Sequence, residues 1–157
     1  MLNTIVDLSH YNGNNLDFAA AAESGIDAII HKATQGLAFI DPRHAINRDA
    51  ARAVGLLVGS FHFGTDEDGA AQARYFLDNA QPRPDDLLAL DFEANSAGST
   101  MTPQQARDFL HLPLAEECCR ARGVERDNSA LCDIKIDGSC KPDRLVKARL
   151  RRAIQRP

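Results

Sequence analysis

The sequence lacks any apolar run long enough to cross a membrane, and Asp7 interrupts the short apolar segment near its start. We therefore expect no membrane span and no signal peptide, and synthesis in the cytoplasm. Basic residues are not in excess either, since the net charge is −4. A negative balance gives no reason to expect nucleic acid as a partner. With 44% hydrophobic and 25% charged residues, the composition is that of a soluble globular protein.

Cysteine spacing argues against a metal centre. The four cysteines lack the C-x-x-C spacing of zinc sites, and they are Cys118, Cys119, Cys132 and Cys140. They are either incidental thiols or thiols able to pair. The acids between Asp133 and Asp137 do not have the ligand spacing of a calcium loop.

The composition changes near position 110. Residues 1–110 contain 7 Lys and Arg against 15 Asp and Glu, whereas residues 111–157 contain 11 against 7. All nine Phe and Tyr residues precede position 111, all four Cys follow it, and Trp is absent. At 157 residues the chain is long enough for one domain with a core. We therefore divide it into a domain over 1–110 and a tail over 111–157.

Strand and helix signals alternate along the first 110 residues. β-branched and apolar runs predict four strands over 4–9, 28–33, 56–63 and 87–93. Helix signals predict segments over 16–24, 42–54 and 66–80 and a fourth from a capping box at 102–105, with Asp41 as the N-cap of the second. Such alternation predicts an α/β fold with a parallel sheet and right-handed crossovers.

The fourth predicted strand ends in a pair of acids. Four apolar residues run into Asp91, Phe92 and Glu93. Because side chains alternate along a strand, Asp91 and Glu93 share a face and Phe92 points away. Two such carboxylates can divide the work of an acid and a base, one ionised and the other protonated. The alternative is two solvated acids at a strand end.

Polar residues also follow the other three predicted strands. They are Asp7 and Ser9, His31 and Lys32, and His62. Taken singly, Lys32 is equally consistent with a solvated cation, and His31 and His62 with partly buried histidines. Barrels of alternating strands and helices, however, place their chemistry at these strand ends.

Several stretches together resemble glycoside hydrolase family 25, the Chalaropsis-type lysozymes, over about residues 5–110. They occur in the family's order and are VDLSHYN at 6–12, HKATQG at 31–36, Asp41-Pro42 with Asn47, AVGLLVGSFHF at 53–63, Gln72-Ala73 and LDFE at 90–93. The resemblance implies a (β/α) barrel of the TIM type, here truncated to its first four βα units and followed by an unrelated C-terminal tail.

The resemblance also implies a function. Members cleave the β-1,4 bond between N-acetylmuramic acid and N-acetylglucosamine, so the expected partner is a peptidoglycan glycan strand. Carried over by position, Glu93 is the general acid, with a pKa raised by Asp91 and by partial burial. Asp91 stabilises positive charge or orients the substrate's N-acetyl group, and Asp7 adds a third carboxylate. No metal or cofactor is required, and the choice between a covalent intermediate and N-acetyl participation stays open.

The groove residues implied by the resemblance are His62, Lys32, Phe61 and Tyr11. Aromatic faces would stack on sugar rings, and a cation would meet the lactyl carboxylate of muramic acid. Family members often carry Tyr where this chain has Phe61, so a hydroxyl is lost there and stacking is kept.

The family pattern stops after Leu110. Pro113 falls about three turns into the predicted fourth helix, where it breaks or kinks the helix. A reading-frame change or a fused foreign segment would account for the tail. Half a barrel leaves an open sheet edge, so we expect impaired activity and a tendency to self-association. The expected place of action is the cell wall, after release by an unknown route.

Two other functions are consistent with the sequence. The chain is alternatively a non-catalytic remnant that binds cell-wall glycan or associates with itself. A metal-dependent hydrolase would instead use as ligands Asp7, His31, His62, Asp91 and Glu93. Neither an H-x-H nor an H-E-x-x-H pair supports this last function.

Overall fold

A computed structural model describes residues 4–96 and 98–111 of the chain. Almost all of the predicted tail, including Pro113 and the four cysteines, lies outside the described residues. The described part consists of one sheet and the helices packed on one of its faces. This arrangement confirms the predicted α/β class.

Five strands form the sheet. They are β1 (Ile5–Leu8), β2 (Ala28–Gln35), β3 (Phe39–Ile40), β4 (Leu57–Phe63) and β5 (Leu87–Asp91). The order is β1-β2-β4-β5 with every neighbouring pair parallel, and the two-residue β3 pairs antiparallel with the end of β2. Each long strand thus lies beside the preceding long strand of the sequence.

The helices come between the strands, as predicted. They are α1 (Phe18–Glu23), α2 (His44–Ala53) and α3 (Gly69–Ala80), followed by α4, of which residues 103–111 are described. A 3-10 turn at His10–Asn12 follows β1. No described helix is long and apolar enough to span a membrane.

The predicted capping box of α4 is confirmed. The backbone N–H of Gln105 donates to Thr102 Oγ1 at 3.3 Å, and the backbone N–H of Thr102 donates to Gln105 Oε1 at 2.7 Å. These bonds satisfy two N–H groups at the start of the helix, neither of which has an acceptor within the helix.

The predicted cap of α2 is wrong. The helix begins at His44, and Arg43 is the N-cap, with no side-chain capping bond. Asp41 instead accepts from the backbone N–H of Arg43 at 2.9 Å and from that of His10 at 2.9 Å. Its carboxylate therefore ties the turn after β1 to the segment before α2, a long-range role that no local pattern reveals.

The core lies between the sheet and its helices. Two clusters fill it, one built on α3 and α4 around Phe76 and Phe109, the other on α1 and α2 around Phe18 and Ala51. The strand residues that pack into these clusters include Leu8, Ile29, Val58, Leu88 and Leu90. Because side chains alternate, the residues between them lie on the opposite face of the sheet, which we call the open face.

Candidate active site at the carboxyl ends of the strands

Three predicted acids lie at one end of the open face. Asp7 alternates with the core-facing Val6 and Leu8 of β1, and Asp91 ends β5. Glu93 follows β5 after one intervening residue. Asp91 interacts electrostatically with both Glu93 and Asp7, so its carboxylate lies within range of both of these charges.

Burial separates Asp91 from Glu93. Asp91 is half-buried, whereas Glu93 is exposed beyond the last residue of the strand. Burial raises the pKa of Asp91, the charges of Glu93 and Asp7 raise it further, and Lys32 opposes the shift. The predicted partial burial of Glu93 is therefore wrong. The strand was expected to reach residue 93, but it ends at Asp91, and Phe92 and Glu93 are exposed beyond it.

Lys32 lies on the open face but is buried, with only 8% of its surface exposed. Its Nζ donates to Gln35 Oε1 at 2.5 Å and lies 4.8 Å from the centroid of the Phe63 ring. Burial lowers its pKa, and the charges of Asp41, Asp91 and Glu93 raise it. The ammonium is therefore held inside the site, not solvated at its rim.

Tyr11 stands at the rim of the open face and is 84% exposed. Its ring centroid lies 4.0 Å from that of His10, which in turn lies 5.4 Å from that of Phe39. His10 is fixed because its Nδ1 donates to Asp41 Oδ2 at 2.8 Å. Burial acts to raise the pKa of Asp41, but the hydrogen bonds from His10 bring it below its usual value. Tyr11 is thus an exposed aromatic ring that packs on a histidine held by a hydrogen bond.

Phe61 is half-buried in β4 and belongs to the open face. It pairs with Lys32 on one side and with Ala89 on the other. It therefore lies between Lys32 of β2 and Ala89 of β5, two residues before Asp91.

His62 does not line the groove, which corrects the expectation from the sequence. It is fully buried on the helix-covered face, where its Nε2 donates to Gln72 Oε1 at 3.0 Å. The hydroxyl of Thr34 donates to its Nδ1 at 2.7 Å, and its ring stacks on Phe109 with 5.0 Å between centroids. Burial lowers the pKa of His62 to about 4, so the ring is neutral.

The metal-ligand set considered from the sequence is not brought together. His31 is also fully buried on the helix-covered face, with its Nε2 accepting from Asn47 Nδ2 at 2.9 Å. The sheet thus separates both histidines from Asp7, Asp91 and Glu93. Among residues 4–96 and 98–111, no three potential ligands form a group able to hold a metal ion.

Sequence reasoning missed the residues that hold Lys32. Gln35, Phe39 and Phe63 surround its ammonium, with the Phe39 centroid 5.5 Å from Nζ. Only Phe63 carried a usable signal, since it lies two residues after Phe61 in a strand. The other two depend on the extension of β2 to residue 35 and on the antiparallel β3.

Comparison with known sequences gives a family and a relative. The family model described as glycosyl hydrolases family 25 matches residues 6–113. An autolytic lysozyme of Clostridium acetobutylicum is 34% identical over 68 residues, which are 43% of this chain and 21% of that protein.

Among the solved structures with similar folds, three are also more than 25% identical in sequence to this chain. A muramidase from Acremonium alcalophilum has a TM-score of 0.62 at 29% identity, covering 68% of this chain and 57% of the other. A family GH25 lysozyme from Aspergillus fumigatus gives 0.60 at 28%, covering 73% and 58%. A lysozyme from Streptomyces coelicolor gives 0.61 at 28%, covering 73% and 56%. The chain therefore spans little more than half the length of these structures.

Proposed function

The chain belongs to glycosyl hydrolases family 25, and from that membership we propose that it derives from a peptidoglycan hydrolase. The bond that we propose is cleaved is the β-1,4 link between N-acetylmuramic acid and N-acetylglucosamine. The observation that carries the proposal is the meeting of Asp7, Asp91 and Glu93 at one end of the open face. The names of the similar proteins, lysozyme and muramidase, support it.

In the proposed mechanism Glu93 is the general acid. Its exposure beyond β5 suits a group that must reach the glycosidic oxygen of a bound strand. Asp91, closer to the sheet, stabilises the positive charge that develops at the anomeric carbon or orients the substrate's N-acetyl group. Asp7 adds negative charge next to Asp91. Covalent and N-acetyl-assisted routes are both compatible with these roles.

Two aromatic residues are the proposed groove contacts. Tyr11 offers an exposed ring supported by His10, and Phe61 offers a half-buried ring between Lys32 and Ala89. Sugar rings present C–H groups that pack on such faces. The proposed place of action follows from the substrate and is the cell wall.

The fold behind the proposed site is the first half of a (β/α) barrel. Consecutive parallel strands in sequence order, with all described helices on one face, are what the start of such a barrel requires. A complete barrel has eight strands, and the chain spans 55–58% of several solved relatives. We therefore propose that the described strands form the first half of such a barrel, and that turnover is impaired because residues 111–157 depart from the composition of the first 110.

Release of new reducing ends from purified peptidoglycan tests the proposal. We expect weak release by the full chain and none by Glu93→Gln, because the substitution removes the proton donor. Asp85→Asn is the matched control, since it also removes one negative charge from an exposed residue. Asp85 lies just before the first residue of β5, at the opposite end of the strand from Glu93. Equal release by the chain and by Glu93→Gln would refute the assigned acid.

The second candidate function is that of a non-catalytic protein that binds glycan. It is favoured by the exposure of Tyr11 and by its packing on His10, which Asp41 holds through a hydrogen bond. The chain has no Trp and two Tyr, so a Tyr75→Phe variant reports on Tyr11 fluorescence alone. A fluorescence change with soluble N-acetylglucosamine oligomers, without release of reducing ends, would favour binding over catalysis. The reciprocal Tyr11→Phe variant should lose most of the change.

A further inference from the structure

Lys32 is held in place by contacts within the protein. Its Nζ is fixed by the hydrogen bond to Gln35 and lies against the faces of Phe63 and Phe39, 4.8 and 5.5 Å from their centroids. A lysine that binds a substrate carboxylate needs an exposed and adaptable ammonium. At 8% exposure, Lys32 has neither the access nor the freedom for that role.

The surrounding charges are mostly negative. Asp91 interacts electrostatically with the negative Glu93 and Asp7 and with the positive Lys32. Lys32 interacts electrostatically with Asp41, Asp91 and Glu93. On the intervening strand β4, the positions nearest these groups are Phe61 and Phe63, which carry no charge. The ammonium is thus a fixed counter-charge within a group of carboxylates.

We propose that Lys32 is a positioning residue that keeps Asp91 ionised beside Glu93. The inference rests on the proposed function, in which Asp91 and Glu93 must differ in protonation. Half-buried next to two other acids, Asp91 would otherwise take up a proton more readily and compete with Glu93 for the role of acid. Because the amide and the two rings fix the ammonium, its effect on Asp91 does not depend on bound substrate.

The direct test is an NMR titration of the aspartate side-chain carboxyl carbons in the full chain, with Asp91→Asn used to assign the Asp91 signal. Lys32→Met should raise the Asp91 midpoint by about one pH unit. This is the size expected for a unit charge two strands away, about 10 Å at the usual strand spacing, at an effective dielectric constant of about 20. Lys32→Arg keeps the positive charge, so its Asp91 midpoint should stay close to that of the parent protein. Arg74→Met removes a charge from an exposed site on α3 and should leave the midpoint unchanged.

A reciprocal measurement keeps the proposal testable if Lys32→Met does not fold. Coupling between two sites is mutual, so Asp91→Asn should lower the Lys32 midpoint by a similar amount. An unchanged Asp91 midpoint in folded Lys32→Met, or an unchanged Lys32 midpoint in Asp91→Asn, would overturn the proposal. A purely structural role would lower the melting temperature and leave both midpoints in place.

These titrations need no turnover, so they are independent of the reducing-end assay that tests the proposed function. Where turnover is measurable, Lys32→Met should move the acidic limb of the kcat–pH profile to higher pH. A lysine that contacts substrate would instead raise KM with the limb unmoved, which would contradict a positioning role.

Discussion

Three histidines lie buried on the helix-covered face, and this burial favours the neutral form of each ring. His31 donates from Nδ1 to the carbonyl of Lys32 and accepts at Nε2 from Asn47. His62 accepts at Nδ1 and donates at Nε2 to Gln72. His44 shares a hydrogen bond with Ser60 and is 3% exposed. Burial lowers all three pKa values, those of His44 and His62 to about 4.

We expect stability to fall as the pH drops from about 6.5 towards 4. The unfolded chain takes up protons on these histidines near pH 6.5, whereas folded His44 and His62 take them up only near pH 4. The unfolded state therefore binds more protons between these values, and the free energy of unfolding falls by up to roughly 3 kcal/mol for each of His44 and His62. Urea unfolding at a series of pH values measures the slope.

The contribution of His62 to the pH dependence of the free energy of unfolding is measured with His62→Gln. This variant keeps Asp91, whose raised folded pKa acts in the opposite direction, so the difference between the two proteins reports His62 alone. We expect a clearly shallower dependence in the variant, whatever its absolute stability. Parallel slopes would mean that His62 is not held neutral by the fold.

The faces of these residues were partly readable from the sequence. Phe61 and His62 are neighbours in one strand, so they cannot share a face, and placing Phe61 in the groove already excluded His62. The same rule does not extend to Asp91 and Glu93, because β5 ends at Asp91. The burial of Lys32 could not be read, because it depends on a register irregularity in β2 between Lys32 and Thr34.

At the scale of elements, α4 closes the core over the sheet. Phe109 is 2% exposed and its ring stacks on His62 and on Phe76, with centroids 5.0 and 5.9 Å apart. Gly69 at the start of α3 allows this packing, since a Cβ there would lie 2.0 Å from the carbonyl oxygen of Gln105. The last described element is therefore integral to the folded unit.

Phe109→Ala should destabilise the protein by about 3–5 kcal/mol, because it leaves a cavity between two buried rings. Leu110→Ala is the matched control, since Leu110 is the next residue of the same helix and is 50% exposed. Its effect should be about 0.5 kcal/mol or less. Chemical unfolding of both variants measures the difference, and comparable losses would mean that α4 does not pack as described.

Elements with local signals were predictable and those with long-range causes were not. The capping box of α4 and the four long strands followed from residues close together in the sequence. The short β3 forms only because residues 39–40 fold back onto the end of β2. The same holds for Asp41, whose partner His10 is 31 residues away.

At the scale of the whole molecule, the open face is only partly covered by the described residues. Leu57 and Leu87, at the starts of β4 and β5, are each 39% exposed. A Cβ at Gly59 would lie within 3.2 Å of both Leu87 and Ile30, so these two apolar residues flank the glycine closely. In a closed barrel the corresponding positions fill the interior with layers of side chains. An open sheet presents them as an apolar surface.

We expect the open face to drive self-association, because contiguous exposed apolar surface is commonly buried between chains. The paired variant Leu57→Gln with Leu87→Gln should reduce the association of the parent protein, measured by sedimentation velocity as the concentration is raised. Ile46→Gln is the control, since Ile46 is 56% exposed but belongs to α2, behind the sheet. Equal association of all three proteins would place the contact elsewhere. Loss of association in the paired variant alone would mean that a second chain covers the apolar part of the face, next to the carboxylates at the strand ends.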